Sequence, residues 1–394
     1  MKTVKNLLGY IGCICITVMV AYFIDGTAGI ILTATMICAF VISLAVTLVV
    51  RRFLKVEISL SRDLLGKGDI FLLNVNISKN IIIPAPVVKI KADCTPHLKF
   101  EGESVYSGSV AGKEVTTIPI SMKAVHSGAA EVSLTNVRLS DFLGILSFSL
   151  PFATANADLL KAKVSVYPNI PDTGMQPELL KTVSQFAADD DDEEEESDEI
   201  AVGATGVPGY EHRQYYPGDP IKKINWKLSS KRDIYMVRLD EKVSAAGQLF
   251  FLDCPQIEES EYVLTVRDNV IEGALAMMSM LVRDGREASF FRYSGGMWLR
   301  TDIHTMADVY TLQESFSDYT PHTPPQTVPP EIASSGKTPI CFTAACADNY
   351  ASASDITAHF PNAMLISAEC AELIDISSNI WIINSEFELK QKKH

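Results

Sequence analysis

Catalytic signatures are missing from this chain of 394 residues. It has no Walker A lysine loop, no HExxH helix, no GxSxG elbow and no GxGxxG run opening a helix, and each absence removes a chemistry that needs those residues at fixed spacing. The eight cysteines include no CxxC pair, and Cys13, Cys15 and Cys38 fall inside apolar runs. Free thiols in a reducing compartment are expected, not a disulfide frame or a zinc site. Among the histidines, His304, His322 and His359 share no ligand spacing, while His97 and His126 lie apart in turn-like sequence and read as solvated loop residues. An excess of positive charge is also missing. The formal net charge is -14, of which Asp189 to Glu199 supplies ten negative charges; the rest of the chain carries -4. That near-neutral remainder gives no global reason to expect nucleic acid as a partner.

What the chain does have is segregation by composition. Leu7 to Phe23 and Ala28 to Val50 are two apolar runs separated by Asp25-Gly26-Thr27, read as a membrane hairpin that meets the lipid bilayer through residues 7–50. A cleaved signal peptide is the competing reading, but the second run follows at once and no small-residue cleavage site precedes a mature domain. Lys2 and Lys5 precede the first run, and Arg51, Arg52 and Lys55 follow the second. Positive residues mark the cytoplasmic side, so a two-pass cell-membrane protein with its soluble body in the cytoplasm is expected.

Residues 55–170 alternate in short strands such as VEISL, FLLNVNIS and KAKVSVYP, broken by Gly, Pro and Asn, which predicts an antiparallel β-sandwich. Residues 171–205 form an acidic linker, since ten adjacent negative charges repel and bury nothing apolar. Its charges could meet the basic residues that follow, or could be a solvated spacer screened over about 8 Å. From 243 to 394 apolar strands alternate with helices, including AGQLFFLD ending at Asp253 and a Met-rich helix over Asn269 to Arg283. That alternation predicts an open, largely parallel α/β sheet. The Pro-rich stretch Pro321 to Pro330 reads as a stiff surface linker.

Between the linker and the α/β region lies residues 206–242, the densest block of charge, aromatics and turn residues. Pro217-Gly218 predicts a turn, Asp219 a helix N-cap and Pro220 the first helical position, with Ile221, Ile224 and Leu228 as one apolar stripe and a strand from Ile234. The order Arg213-x-Tyr215-x-Pro217-Gly218-Asp219, then Ile224-x-Trp226-Lys227, then Lys231 and Met236-Val237-Arg238 resembles the signature of the bacterial "domain of unknown function 58" family. Lys222 and Lys223 stand where arginine is common in that family, and lysine keeps the charge while losing the planar bidentate fork. Asp141-Phe142-Leu143-Gly144 resembles the family's Asp-Pro-Phe-Gly turn without its proline.

The resemblance implies that the C-terminal region is a von Willebrand factor A-like domain, with the strand ending at Asp253 as its first. That fold often holds Mg²⁺ through Asp-x-Ser-x-Ser. Here the run is Asp253-Cys254-Pro255-Gln256-Ile257, so both hydroxyl positions are lost and Asp253 reads as the remnant of a degraded metal site. No catalytic residue, cofactor or metal is expected. Trp226 and the turn Tyr215 to Asp219 are expected to be scaffold, with Arg213, Lys227, Lys231 and Arg238 facing a partner. Two functions stay open: a membrane-anchored scaffold or adaptor, for which the resemblance suggests a MoxR-type AAA+ ATPase as partner, and a hydrolase or phosphate-handling enzyme using the basic block. The absence of a nucleophile and base pair favours the first.

Overall fold

The structure is a computed structural model that describes residues 2–150, 160–172, 183, 208–214, 224–232, 234–240, 248–335, 337–346, 350–371, 380–384 and 386–392. The chain forms two compact units. The first comprises 1–169 with 258–268 and 313–320, and the second comprises 170–257, 269–312 and 321–394. Two short pieces of the expected α/β region therefore belong to the first unit. The acidic run Asp189 to Glu199 lies outside the described residues.

The first unit opens with α1 (Lys2–Phe23) and α2 (Gly26–Phe53), two helices long and apolar enough to cross a membrane. Asp25 ends the turn between them as the N-cap of α2, accepting from the amides of Thr27 (2.9 Å) and Ala28 (3.3 Å). That is where a carboxylate satisfies helix-end donors at little desolvation cost. Small residues let the helices approach closely: a Cβ on Gly29 would run into the backbone of Ala21. Thr33 Oγ1 donates to Thr17 Oγ1 across the pair at 2.9 Å. Both are means by which apolar helices associate without a hydrophobic driving force.

α2 runs without a linker into ten strands: β1 (Leu54–Leu60), β2 (Leu64–Gly66), β3 (Ile70–Lys79), β4 (Ala85–Cys94), β5 (Leu98–Phe100), β6 (Val105–Val110), β7 (Thr116–Ala124), β8 (Gly128–Ser140), β9 (Ser147–Ser149) and β10 (Lys161–Tyr167). They form sheets ordered β1-β3-β7-β5 and β2-β10-β8-β4-β6, with β9 on β8. All pairs are antiparallel except β10 with β2. Alternate residues point inward, so Leu73, Val75 and Ile77 of one sheet and Val88, Ile90 and Val132 of the other share a single buried core. That is the two-faced packing the period-2 pattern predicts.

In the second unit, β11 (Pro208–Gln214) pairs with β12 (Met236–Asp240), with α3 (Trp226–Arg232) between them in sequence. There follow β13 (Gln248–Asp253), α4 (Glu261–Arg283), β14 (Ala288–Ser294), β15 (Met297–Ile303), α5 (Met306–Glu314), α6 (Pro330–Ser335), β16 (Ile340–Thr343), α7 (Ala351–His359), β17 (Met364–Ala368), β18 (Ile380–Ile383) and β19 (Leu389–Gln391). The first turns of α4 and the end of α5 fall in the segments grouped with the first unit. The sheet order is β15-β14-β13-β16-β17-β18-β19. Its five central strands are parallel, and the two edges are antiparallel. β13, β16 and β17 are buried nearly throughout, which is why they read as continuous apolar runs. α6 begins at Pro330, inside the stretch that reads as a linker.

Candidate functional site

The basic block is described in part. Arg213 and Arg238 are ladder positions of the β11–β12 pair, opposite Val237 and His212 respectively. Tyr215, Pro217, Gly218 and Asp219 lie outside the described residues. Pro220, the expected first helical position, and Ile221 also lie outside the described residues; the described helix starts at Trp226, where Asn225 Oδ1 accepts from the amide of Leu228 at 3.1 Å. Ile224 is not part of a helical stripe but bridges Val237. Ser229 fastens the helix to the following strand, donating to the carbonyl of Asn225 (2.7 Å) and accepting from the amide of Met236 (2.9 Å). Trp226, expected as scaffold, is not buried. Trp226 is 59% exposed and meets Tyr235, 58% exposed, edge to face at 6.0 Å between ring centres. Lys227 and Lys231 are exposed on the same short helix.

At the C-terminal end of the parallel strands, Asp253 sits between β14 and β16, opposite Thr343. Its Oδ2 accepts from Thr343 Oγ1 at 2.7 Å and from Ser352 Oγ, on α7, at 2.9 Å. Hydroxyls absent from positions 255 and 257 thus reach the same carboxylate from elsewhere in the chain, which spacing along the sequence could not reveal. Burial pushes Asp253 up to about 6 against the pull of the two hydroxyl bonds, and the charge of Asp355 pushes the same way. Such a group is neutral below about pH 6, and Mg²⁺ takes about six oxygens, of which one carboxylate and two hydroxyls supply few. Among the described residues no group of three or more His, Cys, Asp or Glu is placed to hold a metal ion. Among the described residues the donor set at Asp253 is one carboxylate and two hydroxyls, which does not fit Mg²⁺, and we expect millimolar Mg²⁺ to leave the melting temperature of the second unit unchanged. A saturable rise that disappears in Asp253→Ala would contradict this, because ligand binding to the folded state must stabilise it.

The first unit carries a polar cluster at the end of the sandwich where β8 begins. His97 and His126 are not solvated: both are buried, together with Ser127, Arg267 and Asp268. Asp268, on the first turns of α4, accepts from His126 Nδ1 (2.8 Å), the Ser127 amide (3.1 Å) and Ser127 Oγ (2.5 Å), and pairs with Lys67 Nζ at 3.3 Å. Burial alone would raise its pKa, but the His126 bond, the Lys67 charge and the Ser127 bond outweigh it and hold the carboxyl below its ordinary value. Arg267 Nη2 lies 3.0 Å from His97 Nε2. The guanidinium can only donate, so that nitrogen accepts and the ring is neutral. Burial, then the Arg267 charge, pushes His97 down to about 4. Gly128 fits this crowd at φ +115°, where a Cβ would come 3.3 Å from His97 Nε2. A serine, a histidine and an aspartate meet here without forming a catalytic triad, because the serine hydroxyl bonds the carboxylate and not the imidazole.

No protein-family model and no curated protein matches the chain. Solved structures give distant, partial likenesses. The part of Escherichia coli alpha-2-macroglobulin from its seventh macroglobulin domain to the C-terminus has a TM-score of 0.25 at 17% identity, covering 30% of this chain and 17% of that one. The CARDB domain from Pyrococcus furiosus, in complex with di-metal ions, gives 0.20 at 18%, covering 29% and 86%. A cohesin module from a Clostridium perfringens family 33 glycoside hydrolase gives 0.21 at 11%, covering 29% and 96%. The chain thus spans less than a fifth of the alpha-2-macroglobulin structure, and scores of this size bear on neither activity nor partners.

Proposed function

We propose that the chain is a membrane-anchored adaptor whose second unit binds a protein partner, and, following the signature resemblance, that this partner is a MoxR-type AAA+ ATPase acting on the cytoplasmic side. The observation that carries the reading is the exposed Trp226–Tyr235 pair with Lys227 and Lys231 beside it. Tryptophan and tyrosine are the residues that dominate binding when a partner buries them, and cations at the rim set encounter rate and register. The parallel sheet with one antiparallel strand beside β14 supports a von Willebrand factor A-like second unit. The basic residues at the start of α1 and the end of α2 support the cytoplasmic orientation.

The test is reconstitution of the full chain in nanodiscs with a purified MoxR-type ATPase of the same host. Trp226→Ala with Tyr235→Ala should abolish capture while changing stability by only about 0.5 kcal/mol, as for ordinary surface positions. Lys227→Glu with Lys231→Glu should slow association and make it less salt-dependent. Undiminished capture by both double variants would place the interface elsewhere. A large loss of stability in the aromatic variant would return Trp226 to the scaffold.

A further inference from the structure

We propose that the end of the β-sandwich beside α2 is a lipid-contacting surface: the β8–β9 turn, with Phe142 and Leu143 at its tip, and the β3–β4 loop, with Ile82 and Ile83, enter the interfacial layer of the leaflet from which α2 emerges. The inference rests on reading α1 and α2 as membrane spans.

Strand register brings these loops to one end. Leu54, the first residue after α2, pairs with Lys79 at the end of β3. β4 starts beside the end of β6, and Val88 near that start pairs with Leu139 near the end of β8. The chain therefore turns at residues 80–84 and 141–146 on the side from which α2 arrives. The turn then climbs along the helices. Ser43 Oγ donates to Asp141 Oδ2 (3.3 Å) and accepts from the Phe142 amide (3.1 Å), and Asn6 Nδ2 donates to the carbonyl of Gly144 at 2.8 Å. Ser43 is ten residues before the end of α2, about 15 Å along the axis. Asn6 directly precedes the apolar run of α1. Leu7 to Phe23 and Gly26 to Ser43 each cover about 26 Å at 1.5 Å per residue, close to the hydrocarbon thickness of about 30 Å. The turn tip thus stands level with one edge of that hydrocarbon layer.

Its side chains suit that depth. Phe142 is 47% and Ile82 76% exposed, with Leu143 and Ile83 exposed as well. Part of the backbone beneath them is met internally: Leu146 N donates to Asp141 Oδ1 at 2.8 Å, Gly144 N to the carbonyl of Asp141 at 3.0 Å, and Lys79 Nζ to the carbonyls of Ile83 (2.5 Å) and Ala111 (3.2 Å). Irregular backbone can approach lipid only when its polar groups are met internally. Apolar surface continuous with lipid-facing helices is covered most simply by the same bilayer.

Full-length protein in vesicles containing lipids brominated on the acyl chains tests this. Tryptophan placed by Phe142→Trp or Ile82→Trp should emit at shorter wavelength than one placed by Ile70→Trp, at the opposite end of the sandwich, and should be quenched by bromine near the headgroup more than by bromine deep in the chain. Ile16→Trp, in mid-helix, should be quenched most by deep bromine. If Ile16→Trp is quenched while Phe142→Trp and Ile82→Trp behave like Ile70→Trp, the surface does not touch lipid although the hairpin spans. If Ile16→Trp is not quenched, the spanning reading fails and the inference with it. A blue shift without quenching that grows with protein density would assign the patch to a second copy of this chain and overturn the proposal.

Discussion

Replacing Asp268 by alanine should destabilise the first unit by about 3 to 5 kcal/mol, the usual cost of removing one partner from a buried charge cluster. The carboxylate is fully buried and meets His126, both donors of Ser127 and the Lys67 ammonium. Alanine would leave those donors facing one another in a dry site. Asp268→Asn should not rescue it, because the amide sets a donor where His126 and Lys67 already donate. Adding His126→Phe to the alanine variant should recover part of the loss by removing one stranded donor, a coupling readable as a double-mutant cycle. Hydrogen exchange in β8 and β10 reports this unit. A loss below about 1 kcal/mol would mean that the cluster is solvated and structurally dispensable. Acid should act on the same cluster. His97 folds only as the neutral ring, so its contribution is lost as pH falls from about 6.5, its unfolded value, toward 4. Asp268, held low, contributes above its unfolded value and loses that contribution as pH falls through its folded value.

None of this cluster is visible along the sequence, because Asp268 lies 142 residues from His126 and no local pattern encodes such a pairing. The long sandwich strands are legible, since one covered face imposes period 2 on β3, β4, β7 and β8. The three-residue strands β2, β5 and β9 are too short to show any period. In the basic block, reading Ile224 and Leu228 as one helical stripe misses that Ile224 bridges Val237 and stands outside the described helix, which starts at Trp226. Asn225 is the better start signal, a capping residue directly before Trp226-Lys227-Leu228. For Asp253, the motif spacing tests only the residues that follow the strand. The hydroxyls come instead from the neighbouring strand and from α7. Parallel sheets bring distant segments to one strand end, so spacing along one segment underestimates what gathers there.

Asp253 should carry the opposite pH signature in the second unit, and its magnitude is the second large effect. Its folded pKa of about 6 stands above the unfolded carboxylate value of about 3.9. The folded state therefore holds the proton more tightly, and the stabilisation present at low pH is lost as pH rises through about 6. A gap of two units corresponds to on the order of 3 kcal/mol, large beside a net stability of about 5 to 15 kcal/mol. The Asp253→Asn side chain stays neutral and can still accept from Thr343 and Ser352. That variant should melt several degrees higher than wild type at about pH 7.5, with the difference about half as large near pH 5 and closing toward about pH 4, the unfolded value. The protein's three tryptophans, Trp226, Trp298 and Trp381, all lie in the second unit, so their fluorescence follows this transition apart from that of the sandwich. If the Asp253→Asn variant instead melts lower than wild type at the higher pH and equal to it at the lower, the ionised carboxylate is stabilised in the fold. A cation or a cationic partner group must then reach it, and the conclusion that the donor set does not fit Mg²⁺ would fall with the prediction.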